Sequence, residues 1–391
     1  MEVLTKFWTE KYLDEYIKEG GSKIKFVTGR PGSGKSYLLK ELAQNARERN
    51  YRVVSFSARE IWLHDFKDIY LEILKQCDIL EALGRCGKRI AEQMGYDSGA
   101  IPEGMTFMDY LSSQDMGDAI TRREIRLQLR EMFLDNPLLD NNFALACSLL
   151  TGGILGHPVL EKQNQELLLS WLHGDKGVKL SLLRSLGLSP SRITRYNARH
   201  MLRSLTEVLC QGGYSGIVVL IDDMENLLGR SSGSELHYTK MRREDTYESI
   251  RQLIDDIDSL KHVMFVFGFR RELFDDDRAG IKSYQALWMR IQNEIISQRF
   301  NCFTDVADMD RMAEQFSTPQ SLVSMSEAML RSAAAQALEN PVGGPQVISP
   351  QQAVEILNHA ELGGLGIPGL VKEATLGQAA RSSQLGGGSN V

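Results

Sequence analysis

The stretch Gly29-Arg30-Pro31-Gly32-Ser33-Gly34-Lys35-Ser36 constrains this 391-residue chain more than any other feature. It matches the pattern G-x-x-x-x-G-K-S/T and lies between a short apolar segment, Ile24 to Thr28, and a run with apolar positions at Leu38, Leu39, Leu42, Ala43 and Ala46. The first reads as a strand and the second as an amphipathic helix, which is the setting a phosphate-cradling loop requires. Glycines let the backbone double back so that successive N–H groups converge on an anion, and the positive end of the following helix adds to that field. Lys35 supplies a point charge for the β- and γ-phosphate oxygens, and the Ser36 hydroxyl suits Mg²⁺, a hard cation that takes oxygen ligands. The expected ATP-binding stretch is Gly29, Arg30, Pro31, Gly32, Ser33, Gly34, Lys35, Ser36 and Tyr37.

A second element supports this. Gly216-Ile-Val-Val-Leu-Ile221 is an uninterrupted apolar run, as in a strand buried on both faces, and it ends in Asp222-Asp223. Doubly wound sheets collect ligands at the carboxyl ends of such strands. At the metal site, Asp222 is expected to hold a water of the Mg²⁺ shell opposite Ser36, and Asp223 or Glu225 to orient an attacking water as general base. The alternative is that these acids only cap a helix beginning near Met224.

Around these elements the chain reads as α/β. Tyr51 to Ser57 and His262 to Phe267 are further strand candidates, and residues 5–18 carry apolar side chains at helical spacing. Between about residues 60 and 210 the periodicity is helical, with apolar faces such as Ile69-Tyr70-Leu71-Ile73-Leu74 and Leu167-Leu168-Leu169-Trp171-Leu172. After Phe303 the pattern is again helical, and Ser382 to Val391 is Gly- and Ser-rich, as in a disordered tail.

Composition narrows the function. Fifty-one acidic against 45 basic residues give a net charge of −6, which excludes a protein that coats nucleic acid through bulk basicity. Five cysteines without a C-x-x-C pair point to buried reduced thiols. The amino terminus lacks an apolar signal core and no stretch approaches a membrane span, so a soluble cytoplasmic protein with no membrane contact is expected.

With both nucleotide elements in hand, the chain resembles the AAA+ class of P-loop ATPases, and within it the ATP-binding proteins of BREX-type bacterial phage-defence systems. Further residues carry the resemblance: Leu63-His64-Asp65-Phe66 with Tyr70, Trp171-Leu-His-Gly174, Leu186-Gly187, Tyr196-Asn197 and Gly213-Tyr214-Ser-Gly216. It implies a parallel-sheet ATPase core over residues 1–60 and 205–303, a helical insertion at 61–204 and a C-terminal helical lid at 304–381. It also implies an assembling ATPase, a homo-oligomeric ring or filament, acting on DNA or on partner defence proteins. An arginine would then reach a neighbour's γ-phosphate: Arg290 first, then Arg299 and Arg270. The family usually has Asp-Glu where this chain has Asp222-Asp223. A polar sensor is replaced by Gly268-Phe269-Arg270, and a lid arginine is missing from Gly366 to Lys372. These departures keep open a nucleotide-gated switch or scaffold with little hydrolysis.

Two arginine sets remain, Arg122, Arg126 and Arg130 at four-residue spacing, and Arg192, Arg195, Arg199 and Arg203. Each reads either as a DNA-phosphate contact or as an ion-paired, solvated face. Asp275-Asp-Asp277 reads as an exposed loop, and Trp171 and Tyr196 as core residues.

Overall fold

Successive residues of a strand point to opposite faces of its sheet. Ile217, Val219 and Ile221 belong to one buried cluster, and Val218 and Leu220 to another. That is why this strand reads as an unbroken apolar run: both faces of its sheet are covered. A computed structural model describes residues 2–229, 236–296 and 301–316. Its sheet has five parallel strands, β1 Ser22–Gly29, β2 Arg52–Ser57, β3 Ile217–Asp222, β4 Val263–Arg270 and β5 Val306–Asp308, in the spatial order β2-β3-β4-β1-β5. The architecture is that of a P-loop nucleotide-binding core.

The helices among the described residues are α1 Glu2–Trp8, α2 Lys35–Glu48, α3 Phe66–Gln76, α4 Ile79–Gln93, α5 Phe107–Ser113, α6 Ala119–Leu129, α7 Asn141–Leu155, α8 Lys162–Leu172, α9 Leu180–Leu183 and α10 Ala198–Gln211. Beyond β3 come α11 Lys240–Asp255, α12 Glu272–Asp275, α13 Gln285–Ile296 and α14 Met309–Phe316. Local chemistry starts several of them. Asp65 caps α3, Thr106 α5, Asp118 α6, Asp140 α7 and Thr239 α11, each side chain accepting a backbone N–H of the first turn.

One face of the sheet packs Val27, Val218, Leu220, Met264 and Val266 against Leu38, Leu39 and Leu42 of α2 and against Trp8, Leu13 and Ile17. The amino-terminal helix runs through α1 and continues over Thr9–Tyr16 as a wider π-helix. The opposite face, with Phe26, Phe56, Phe265, Phe267 and Phe269, meets the helices between β2 and β3. Phe66, Tyr70, Ile73, Leu83, Phe143 and Leu205 share one continuous buried cluster with it. Those helices form the second outer layer of the sandwich.

Two expectations change. The segment after Phe303 opens with a strand: β5 pairs with β1, Phe26 opposite Val306 and Thr28 opposite Asp308, so the sheet reaches residue 308. Three residues are too few to show a period, and tertiary pairing decides them. What positions this strand is Lys25, fully buried although charged, whose Nζ donates to the Phe303 and Thr304 carbonyls at 2.8 and 2.7 Å. Tyr196 is not in the core; it is 82% exposed, whereas Trp171 is buried. The remainder of the expected lid, with Lys372, and the tail lie outside the described residues, as does Arg299.

Cys77, Cys86 and Cys147 are buried, Cys210 and Cys302 half-buried, and none is in a disulfide. Burial pushes the Cys77 thiol up to about 12. No helix of the described residues is long and apolar enough to cross a membrane.

Candidate functional site

Strand register builds the site. Gly29 lies opposite Arg270 and Ser57 opposite Asp222, so the ends of β1, β4, β3 and β2 form one carboxyl-side edge. From β1 the chain turns through the phosphate loop into α2. Gly32 and Gly34 take left-handed conformations at φ +77° and +91°, which an L side chain resists. A Cβ on Gly29 would stand 2.5 Å from the Ser33 hydroxyl, so the loop closes tightly only because that position is glycine.

Lys35 lies along the loop and donates to the carbonyls of Gly29 at 2.8 Å and Arg30 at 2.9 Å. Asp310, at the start of α14, accepts the Arg30 N–H at 2.9 Å and tethers the loop from the β5 side. Pro31, Ser36 and Tyr37 are exposed.

Ser36 Oγ donates to Asp222 Oδ2 at 3.2 Å, linking the start of α2 to the end of β3 across β4. Ligands in adjacent positions of a Mg²⁺ octahedron with bonds near 2.05 Å stand about 2.9 Å apart. The two oxygens are therefore spaced and typed for that cation. Gly268 of β4 makes this approach possible, since a Cβ there would lie 2.7 Å from Asp222 Oδ1. A glycine in the expected sensor position thus has a steric role. Sequence alone shows the missing polar group but not the neighbour that fills its space.

The acids beyond Asp222 diverge. Asp223 is left-handed at φ +59°, and its N–H returns to Asp222 Oδ1 at 2.9 Å. Its own carboxylate faces the end of β2, accepting from Ser57 Oγ at 2.8 Å and pairing with Arg59 at 3.4 Å. Glu225 sits at the end of β4. Arg270 Nε lies 2.9 Å from Glu225 Oε1, and the Arg270 N–H donates to Oε2 at 3.1 Å. The Glu225 side chain is 13% exposed against 35% for Asp223. These acids are therefore held by side chains at strand ends and do not simply cap the turn at Met224–Leu228, whose first residue has no side-chain cap.

Burial pushes the Asp222 and Glu225 carboxyls above the usual carboxylate range and lowers the Lys35 ammonium. The charges acting most on Lys35 are Glu225 and then Asp222. Arg270, one of the arginines considered for a neighbour's phosphate, is engaged within its own chain; Ser57, Arg59 and Asp310 carried no sequence signal because nothing local ties them to the loop.

Arg290 on α13 forks onto the Asp255 carboxylate at the end of α11, Nη2 at 2.7 Å from Oδ2, and Arg251 reaches the same acid. Among the other arginines, Arg122 and Arg126 are exposed and Arg130 pairs with Asp135 at 3.2 Å. The second set is dispersed: Arg192 donates to the Lys176 carbonyl, Arg203 to that of Leu138, and Arg199 binds Gln252 Oε1 at 2.9 Å. Asp275 pairs with Arg271 while Asp276 accepts the N–H groups of Arg278 and Ala279, so the acidic triplet does not converge.

A family model described as BREX system ATP-binding protein BrxC/D matches residues 10–308, from the amino-terminal helix to the end of β5. No curated protein and no solved structure matches the chain.

Proposed function

The chain belongs to the family of BREX system ATP-binding proteins BrxC/D, and from that premise we propose that it hydrolyses ATP with Mg²⁺ at the edge formed by Gly29 to Tyr37, Asp222 and Glu225. The observation that carries the reading is the 3.2 Å approach of Ser36 Oγ to Asp222 Oδ2, two donors brought together from opposite sides of β4. Ser36 and Asp222 hold Mg²⁺, which when bound neutralises charge on the phosphate oxygens. Lys35 and the inward N–H groups of the loop bind the β- and γ-phosphates. Glu225, largely buried and facing Arg270 at the end of β4, orients the water and takes its proton. Asp223 serves by fixing Asp222 through its N–H and by anchoring the strand end to Ser57 and Arg59.

Arg290 of a neighbouring copy stabilises the γ-phosphate in a homo-oligomeric ring or filament, and its fork to Asp255 sets the guanidinium's direction. Membership of the defence system implies partner proteins within it; hydrolysis drives assembly on them or on DNA in the cytoplasm. The test is Mg²⁺-dependent phosphate release. Lys35→Ala and Glu225→Gln are expected to lower it by about 10² or more, and wild-type turnover in Lys35→Ala would refute the site. Unchanged turnover in Arg290→Ala, at a concentration where the protein is oligomeric, would remove the neighbour's arginine.

A switch with slow hydrolysis is the second reading. Its support is that Lys35 is held by the loop's own carbonyls and Glu225 by Arg270. Tight ATP binding without phosphate release would favour it.

A further inference from the structure

Tyr196 and Arg195 have no part in the phosphate-loop site, yet they form the lip of a cavity of about 370 Å³ between the start of α3, the residues leading into α10, and the middle of α11. This volume falls within the range of about 300–1,000 Å³ that small-ligand pockets occupy. Phe66 and Arg199 lie deeper, the guanidinium 5.1 Å from the Phe66 ring centre, and His64 with Asp245, Glu248, Ser249 and Gln252 lines the rest of the wall.

Two features describe what would fit. The first is a flat, exposed platform. Tyr196 is 82% exposed, and the Arg195 guanidinium lies 5.1 Å from its ring centre and donates to its hydroxyl at 3.1 Å. An exposed aromatic ring paired with an arginine is the surface on which a nucleobase stacks. The second is mixed charge: Arg195 offers a cation to a phosphate, while the exposed Asp245 carboxylate can accept from an exocyclic amine. A simple carboxylate would leave the platform unused, and an apolar ligand would strand the guanidiniums.

We propose that this cavity binds one nucleotide unit, its base stacked on Tyr196 and its phosphate against Arg195, separately from the phosphate loop. The unit comes either from a free mononucleotide or from single-stranded nucleic acid. The site shares no residue with Lys35, Ser36, Asp222 or Glu225, so it stands whether or not ATP is hydrolysed there.

The full chain is titrated with AMP, which lacks the β- and γ-phosphates, by equilibrium dialysis, and with a fluorescein-labelled mixed-sequence 20-nucleotide DNA strand by anisotropy at 50 and 200 mM KCl. At least one probe is expected to bind. Tyr196→Ala and Arg195→Ala should each weaken it about tenfold or more, Tyr196→Phe should retain it, and ATP binding at the loop should not change. Both side chains are exposed, so these substitutions leave the core intact. Binding of the strand without AMP assigns the nucleic acid as the source, with affinity falling as salt rises; binding of AMP alone assigns the free nucleotide. Failure of both probes to bind the wild type, or wild-type affinity in both alanine variants, overturns the proposal.

Discussion

Gly268→Ala is a one-carbon test of how the Mg²⁺ donors are assembled. The added Cβ would meet Asp222 Oδ1 at 2.7 Å and Leu39 Cδ1 at 3.2 Å, where ordinary contact begins at 3.4 Å. The carboxylate must therefore retreat by about 0.7 Å, the difference between 3.4 and 2.7 Å. It is short and tied to the Asp223 N–H at 2.9 Å, so it has little room to absorb the shift by rotation. A retreat of that size, directed away from α2, would carry Oδ2 from 3.2 Å beyond hydrogen-bond reach of Ser36 Oγ. Overpacking of this kind costs about 1–3 kcal/mol, and a 1.4 kcal/mol loss at the donor pair corresponds to about a tenfold higher Mg²⁺ requirement. Urea denaturation measures the first effect, and ATP binding against Mg²⁺ concentration the second. Gly84→Ala is the control. Gly84 lies within α4 with no atom within 4 Å of its added Cβ, so alanine should stabilise by about 0.5–1 kcal/mol and leave the Mg²⁺ requirement alone. Wild-type stability and Mg²⁺ dependence in Gly268→Ala would refute the steric argument.

Other outcomes follow from the same contacts. In single-turnover phosphate release, Asp223→Asn should lose less than about tenfold while Glu225→Gln loses about 10² or more; the reverse order would return the water-orienting role to Asp223. Lys25→Met keeps most of the side-chain volume but leaves the Phe303 and Thr304 carbonyls without their ammonium, while Asp305 keeps Lys23 at 2.7 Å, so the urea midpoint should fall by the equivalent of about 3 kcal/mol. Wild-type stability in that variant would show that packing alone positions β5. Hydrogen bonds from Arg251, Tyr284 and Gln252 hold the Glu248 carboxyl down from 4.5 to about 2. A depressed acid contributes stability that is complete above its unfolded value and lost as pH falls from about 4.5 to 2. Glu248→Gln should flatten that part of the acid titration by about 1–2 kcal/mol, the pair being partly solvated; an unaltered acid limb would count against it.

Sequence determined what local chemistry can express. The glycines and lysine of the phosphate loop, the strand before it and the helix after it follow from spacing over fifteen residues or so, as do the buried strands β3 and β4, whose apolar runs need no partner to be recognised. Tertiary structure decided whatever depends on which strand ends lie side by side. Asp223 and Glu225 are two residues apart, and in the sequence both are candidates for the base, Asp223 the first of them. They separate because one faces Ser57 at the end of β2 and the other Arg270 at the end of β4. Likewise the three residues of β5 form a strand because Phe26 to Thr28 offers them an open edge, and Gly268 has meaning only once Asp222 stands beside it. Periodicity and turn chemistry act within a few residues of the chain, whereas sheet order and register bring together residues nearly two hundred positions apart, and that placement turns a nucleotide-binding signature into a particular arrangement of acids and cations.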